Sequence, residues 1–226
     1  ITEEVSASFY EDRTGGLHPG KGDTRPQPDK KGAYSWLKAP RYDGLPHEVG
    51  PLARMRINYE LGNETVTRAV DRLCNQTGIP MQALDSTLGR HLCRLLETEM
   101  IAQRLQKWLM KLKPGAPCVL PVEVPEKGRG AGLTDAPRGA LGHWVRIEGG
   151  QVANYQAVVP TTWNGSPRDH RGVPGPMEQA LEGNRVEDGD NPFEILRTIR
   201  SFDPCLACSV HVTRWGQNGI SFQLPW

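Results

Sequence analysis

One segment constrains this chain more than any other. From Met81 to Lys113, Leu84, Leu88, Leu92, Leu95, Leu96, Met100, Ile101, Leu105, Trp108, Leu109 and Leu112 trace a stripe at helical spacing, and Pro114-Gly115 then stops it. At 1.5 Å per residue, some thirty residues make a rod of roughly 45 Å. Such a rod is expected to be the spine of a helical bundle, with the stripe as core and His91 and Cys93 as structural members.

The remaining segments are shorter. Residues 1 to about 50 alternate Pro, Gly and charge with aromatic islands such as Phe9-Tyr10 and Tyr34-Ser35-Trp36-Leu37, which predicts ordered loop packed on something else. Between Pro51 and Gln76 the spacing predicts two short helices, the second starting at Asn63-Glu64-Thr65. β-like runs follow at Val119 to Val124, Trp144 to Ile147 and Val152 to Val159, the last two joined at Gly149-Gly150 as a hairpin. A brief helix is expected near Met177 to Leu181, and Asn191-Pro192 opens another that delivers the chain into Asp203-Pro204-Cys205. The expected class is mainly α with small β-hairpins and long ordered loops.

Charge excludes some functions. With 27 basic and 26 acidic side chains there is no global field to hold nucleic acid or an anionic membrane. The 25 Gly and 19 Pro accompany 37% apolar residues and six Trp, which reads as loop-rich and globular. A length of 226 residues fits one large or two small domains. No apolar run of about 18 residues exists, and Ile1-Thr2-Glu3-Glu4 has neither an initiator Met nor a leader, so a fragment without its own signal is expected.

The five cysteines, Cys74, Cys93, Cys118, Cys205 and Cys208, form no disulfide framework. Only Cys205 and Cys208 are close. Redox dithiols, zinc half-sites and chance all share a Cys-x-x-Cys pair. A structural zinc site usually wants a second pair, a thioredoxin-like dithiol should open a helix after a strand, and an iron-sulfur cluster normally takes four thiolates. The surviving reading of the residues is a metal site completed by another chain.

Asp203-Pro204-Cys205-Leu206-Ala207-Cys208 with His211 resembles the C-terminal signature of the nickel-iron hydrogenase large subunit. Ala136 to Trp144 (APRGALGHW), Asn154 to Asn164 (NYQAVVPTTWN) and Lys38 to Tyr42 (KAPRY) resemble the same family in the same order. The likeness covers the C-terminal portion of such a subunit and its helical-bundle fold. The part that supplies the first Cys pair and a proton-relaying Glu is missing, so the fragment alone is expected to be inactive.

The resemblance implies reversible heterolytic oxidation of dihydrogen at a nickel-iron centre carrying carbon monoxide and cyanide. It makes Cys205 a terminal thiolate on nickel and Cys208 a bridge to iron. Arg138 would donate to one cyanide and Thr161 to the other, with Pro160 beside it, while Asp203 holds Arg138. His211 and the Ala157 carbonyl match ligands of a magnesium ion. Asp135 stands where the family has Glu, whereas Lys38, Arg41 and His143 read as structural.

The implied organisation is residues 1–211 as the subunit portion and 212–226 as an extension removed on maturation by a nickel-dependent endopeptidase. The implied partners are an iron-sulfur small subunit, nickel-insertion factors and, through the small subunit, a membrane cytochrome b. The expected location is the periplasmic side of the membrane, after a cytoplasmic precursor. Two alternatives remain at this point: a hydrogen-sensing regulatory subunit, which the tail opposes, and a zinc-stabilised interaction module using Cys205, Cys208 and His211.

Overall fold

The structure is a computed structural model that describes residues 1–119 and 121–205. Helix α1 (Pro51–Glu60) begins on a proline, where a missing N–H costs nothing. Helix α2 (Glu64–Thr77) is capped by Asn63, whose side chain accepts from Val66 N at 3.3 Å, and closed by Gly78 at φ 70°. With helix α3 (Thr87–Leu109) these two enclose one core of Leu52, Met55, Val66, Ala69, Val70, Leu84, Cys93 and Leu96. Burial pushes the Cys93 thiol up to about 12, so it packs as a small apolar group.

The long periodic segment departs from expectation in two ways. It is interrupted: Met81–Leu84 is a 3-10 turn, and Ser86 restarts the chain by accepting from Gly89 N at 3.1 Å while donating to Ala83 O at 2.7 Å. Gly89 permits that close turn, since a Cβ there would lie 2.0 Å from Leu84 O. Its apolar stripe is also only partly core. Leu84, Cys93 and Leu96 are buried, but Leu88, Leu95, Ile101, Leu105, Trp108, Leu109 and Leu112 are exposed. At about 35 Å, α3 outruns its neighbours α1 and α2, of about 15 and 21 Å.

A three-stranded antiparallel sheet follows, in the order β3 (Lys127–Ala136), β4 (Gly139–Glu148), β5 (Gln151–Val158). Gly149 and Gly150, at φ 60° and 68°, make the expected two-residue hairpin, with Glu148 opposite Gln151. Strand β3 was not anticipated, because its Lys-Gly-Arg-Gly-Ala-Gly start has no apolar alternation. Conversely, residues 119 and 121–124 form no strand: Pro121 interrupts the run and Pro125 follows it, and Val119, Val122 and Val124 are exposed. Helices α4 (Pro160–Asn164), α5 (Pro176–Leu181) and α6 (Phe193–Ser201) complete the described chain, and α6 packs on α3 and α5.

The first fifty residues are mostly loop, as expected, tied by a short antiparallel pair of β1 (Thr2–Glu4) with β2 (Ala39–Arg41). Arg41 anchors this region. Only 2% exposed, it contacts Asp169 Oδ2 at 3.1 Å and donates to the carbonyls of Pro40, Pro167 and Val173 at 3.0–3.3 Å. Burial disfavours the Asp169 carboxylate, yet the Val173 amide, Arg41 and the Arg171 amide outweigh it and hold the group down at about 2.

A lowered acid contributes stability that is complete above its unfolded value and lost as pH falls through its folded one. The Asp169→Asn variant is therefore expected to lose apparent melting temperature less steeply than the parent between about pH 4 and pH 2. Arg41→Met is expected to cost about 3–5 kcal/mol, because it strands a buried carboxylate. Calorimetry across that pH range checks both.

Candidate functional site

Two chain reversals and one short helix meet at Cys205. The first reversal is the Pro137-Arg138 turn between β3 and β4, where Ala136 pairs with Gly139. The second is Asp203, whose N–H donates to Arg200 O at 2.9 Å and whose φ of 52° lies in the left-handed region that Asp tolerates. Arg138 Nε joins the two, donating to the Asp203 carbonyl at 2.9 Å and lying 3.1 Å from Asp203 Oδ2. Among the described residues its Nη1 and Nη2 have no hydrogen-bond partner, and about two-fifths of the side chain is exposed.

The short helix is α4. Pro160 starts it and is buried, as is Thr161, whose Oγ1 accepts from Cys205 N at 3.1 Å. A hydroxyl that accepts there keeps its own proton to donate elsewhere. At the other end of α4, Asn164 accepts from Val49 N and donates to Val49 O, both at 2.9 Å. Val49 and Gly50 abut the Arg138 turn so closely that a Cβ on Gly139 would lie 2.6 Å from Val49 Cγ2. Helix α4 thus links Cys205 to the turn that carries Arg138.

Ala157, on β5, lines a cavity of about 260 Å³ together with Glu3, Lys38, Gln156, Thr24 and Tyr10. Glu3 and Lys38 are both buried, with Nζ 3.6 Å from Oε2, and Gln156 Oε1 accepts from Lys38 Nζ at 3.3 Å and from Thr24 Oγ1 at 3.0 Å. Burial raises the Glu3 carboxyl above its ordinary value, against the opposing Lys38 charge.

The structure therefore brings together Arg138, Asp203, Pro160, Thr161 and Cys205, and sets Ala157 in a polar cavity. Cys208 and His211 lie outside the described residues. Among the described residues no group of three His, Cys, Asp or Glu could hold a metal by itself, so a metal here needs donors beyond them. The Cys205 thiol is exposed, and a thiolate there suits a soft metal. Sequence reasoning did not single out Glu3 or Gln156 and read Lys38 as structural. Only the burial of Glu3 and Lys38, at 4% and 7% exposure, marks them as a pair, and no local spacing carries that signal.

Residues 1–211 match the family model described as nickel-dependent hydrogenase. The uptake hydrogenase large subunit of Azotobacter chroococcum mcd 1 is 47% identical over 247 residues, covering 94% of this chain and 41% of that protein. The hydrogenase-1 large chain of Escherichia coli K12 is 48% identical over 189 residues, covering 79% and 32%. Among solved structures, the reduced Ni-Fe-Se hydrogenase from Desulfovibrio vulgaris Hildenborough superposes with a TM-score of 0.80 at 41% identity, over 92% of this chain and 44% of that one. This chain spans about two-fifths of the length of the curated relatives it matches most fully.

Thr161→Val keeps the side-chain volume but removes the acceptor for the Cys205 amide. The expected result is loss of exchange protection confined to the peptide containing Cys205, and a stability loss of about 1 kcal/mol, read by hydrogen–deuterium exchange and thermal melting.

Proposed function

The chain belongs to the nickel-dependent hydrogenase family, and from that premise we propose that it forms the C-terminal portion of a catalytic large subunit that oxidises dihydrogen reversibly to protons and electrons. The observation that carries this reading is that Asp203-Pro204-Cys205 is held at both ends, Arg138 meeting Asp203 and Thr161 accepting from the Cys205 N–H.

Cys205 would hold nickel and Cys208 would hold both nickel and iron as thiolates, in a centre whose remaining iron ligands would be carbon monoxide and cyanide. Thiolates suit both metals and bind them deprotonated. When bound, the bimetallic centre supplies the redox chemistry for heterolytic cleavage. The chain's own residues do the rest. The Cys205 sulfur is the base that receives and holds the proton. Arg138 cannot serve as that base, because a guanidinium stays protonated; it provides fixed positive charge and N–H donors toward a cyanide. Asp203 fixes its direction by charge-assisted contact. The Thr161 hydroxyl, with a lone pair engaged by the Cys205 amide, would donate a hydrogen bond to the second cyanide, with Pro160 packed beside it.

A magnesium ion held by His211 and the Ala157 carbonyl completes the reading. The polar cavity at Ala157, with its buried Glu3, Lys38 and Gln156, supports it. The implied partners are an iron-sulfur small subunit that carries electrons away, a membrane cytochrome b beyond it, and the nickel-insertion factors and endopeptidase of maturation. The proposed location is the periplasmic side of the membrane. The described residues contain no helix long and apolar enough to cross a membrane. We read residues 212–226 as an extension cleaved after His211, a division supported by the family match ending at residue 211.

Two experiments test this. Cys205→Ser in the complete matured assembly is expected to abolish hydrogen uptake, and undiminished turnover, or zinc in place of nickel and iron in the parent protein, would overturn the assignment. Mass spectrometry of the native mature subunit is expected to find its C-terminus at His211; an intact Trp226 in active protein would reject the cleavage.

A further inference from the structure

Arg54, on α1, uses all five of its N–H groups. Nε and Nη2 form a fork on the Glu97 carboxylate of α3, each at 2.6 Å. Nη1 donates to Asp135 Oδ1 at 2.8 Å and to Ala136 O at 3.1 Å, and Nη2 donates to Pro137 O at 2.8 Å. One planar, rigid group therefore fixes α1 to α3 and grips three consecutive residues, the last of them immediately before Arg138. The side chains of Arg54 and Glu97 are only 19% and 17% exposed, so the fork is largely shielded from water.

The turn is held from its other side as well. Gly139 permits contact with Val49 and Gly50, and a Cβ on Gly50 would lie 2.9 Å from Arg138 O. These two grips flank the backbone at Arg138, whose Nε meets both the carbonyl and the carboxylate of Asp203. Asp135 reaches Arg54 from its place opposite Ala140.

We propose that Arg54 is a positioning residue for Arg138: through Glu97, Asp135 and the two carbonyls it sets the direction in which the Arg138 guanidinium leaves the β3–β4 turn. The proposal rests on the role assigned above to Arg138. A lysine cannot substitute, because a point charge cannot hold two carboxylates and two carbonyls at once.

The test is a double-mutant cycle in the complete, matured enzyme with its small subunit. Arg54→Lys is expected to retain nickel and iron while lowering kcat by about ten- to a hundredfold, the scale on which misplacing a reacting group by about an ångström acts. It is also expected to shift the infrared bands of the cyanide ligands. In an Arg138→Lys background the same change should cost less than about twofold, because coupled residues are non-additive.

Additive losses, or unmoved cyanide bands in Arg54→Lys, would overturn the positioning role while leaving that of Arg138 intact. A neutral Arg138→Lys would overturn both. If Arg54→Lys is recovered without metal, Asp135→Asn, which leaves the Glu97 fork and both carbonyl contacts available, carries the same cycle. Its few-fold loss must likewise disappear in the Arg138→Lys background, and persistence there counts against the proposal.

Discussion

Asp203 meets two demands at one residue. Its backbone turns the chain out of α6 in a left-handed conformation that most side chains avoid, and its carbonyl and carboxylate together receive Arg138 Nε. Glycine would relieve the first demand and forfeit the carboxylate. A longer acid would keep the charge but fit the backbone less readily. Aspartate satisfies both, and the direction of Pro204 and Cys205 follows from it.

Around this residue the fold uses cations as joints between loops. Arg90 forks onto Glu48 at 2.8 Å and stacks over the Phe202 ring at 3.9 Å, while Arg94 donates to Ser201 O at 2.9 Å. Both project from α3, so the spine helix holds the end of α6 that leads to the site. Arg41 does the same for the loop after α4. Loops rich in Gly and Pro bury little apolar area of their own, and guanidiniums that satisfy several carbonyls at once compensate for that.

Elements with a local signature were legible in the sequence. Helix α2 carried an Asn cap and helical spacing, the β4–β5 hairpin carried Gly-Gly, and α6 followed Asn191-Pro192. Strand β3 was not legible, because its glycines give no alternation and its place depends on the Pro137-Arg138 turn. The β1–β2 pair has three residues per strand, one of them Pro40, too few for any pattern to register. At the site, Arg138, Thr161, Asp203 and Cys205 stood out through motifs. Arg54 did not, since its bonds to Ala136 and Pro137 span 82 and 83 residues, and nothing in a local window marks such a partner.

The paired bonds between Asn164 and Val49 make the side-chain amide an imitation of a peptide unit, one donor and one acceptor presented side by side as a neighbouring strand would present them. The chain thereby obtains a rung of ladder without spending a strand on it. Such an imitation leaves the position almost no chemical latitude. Aspartate would set oxygen against the Val49 carbonyl, leucine would supply the shape with neither pole, and glutamine would overshoot by a methylene. The alphabet at residue 164 is effectively one letter long.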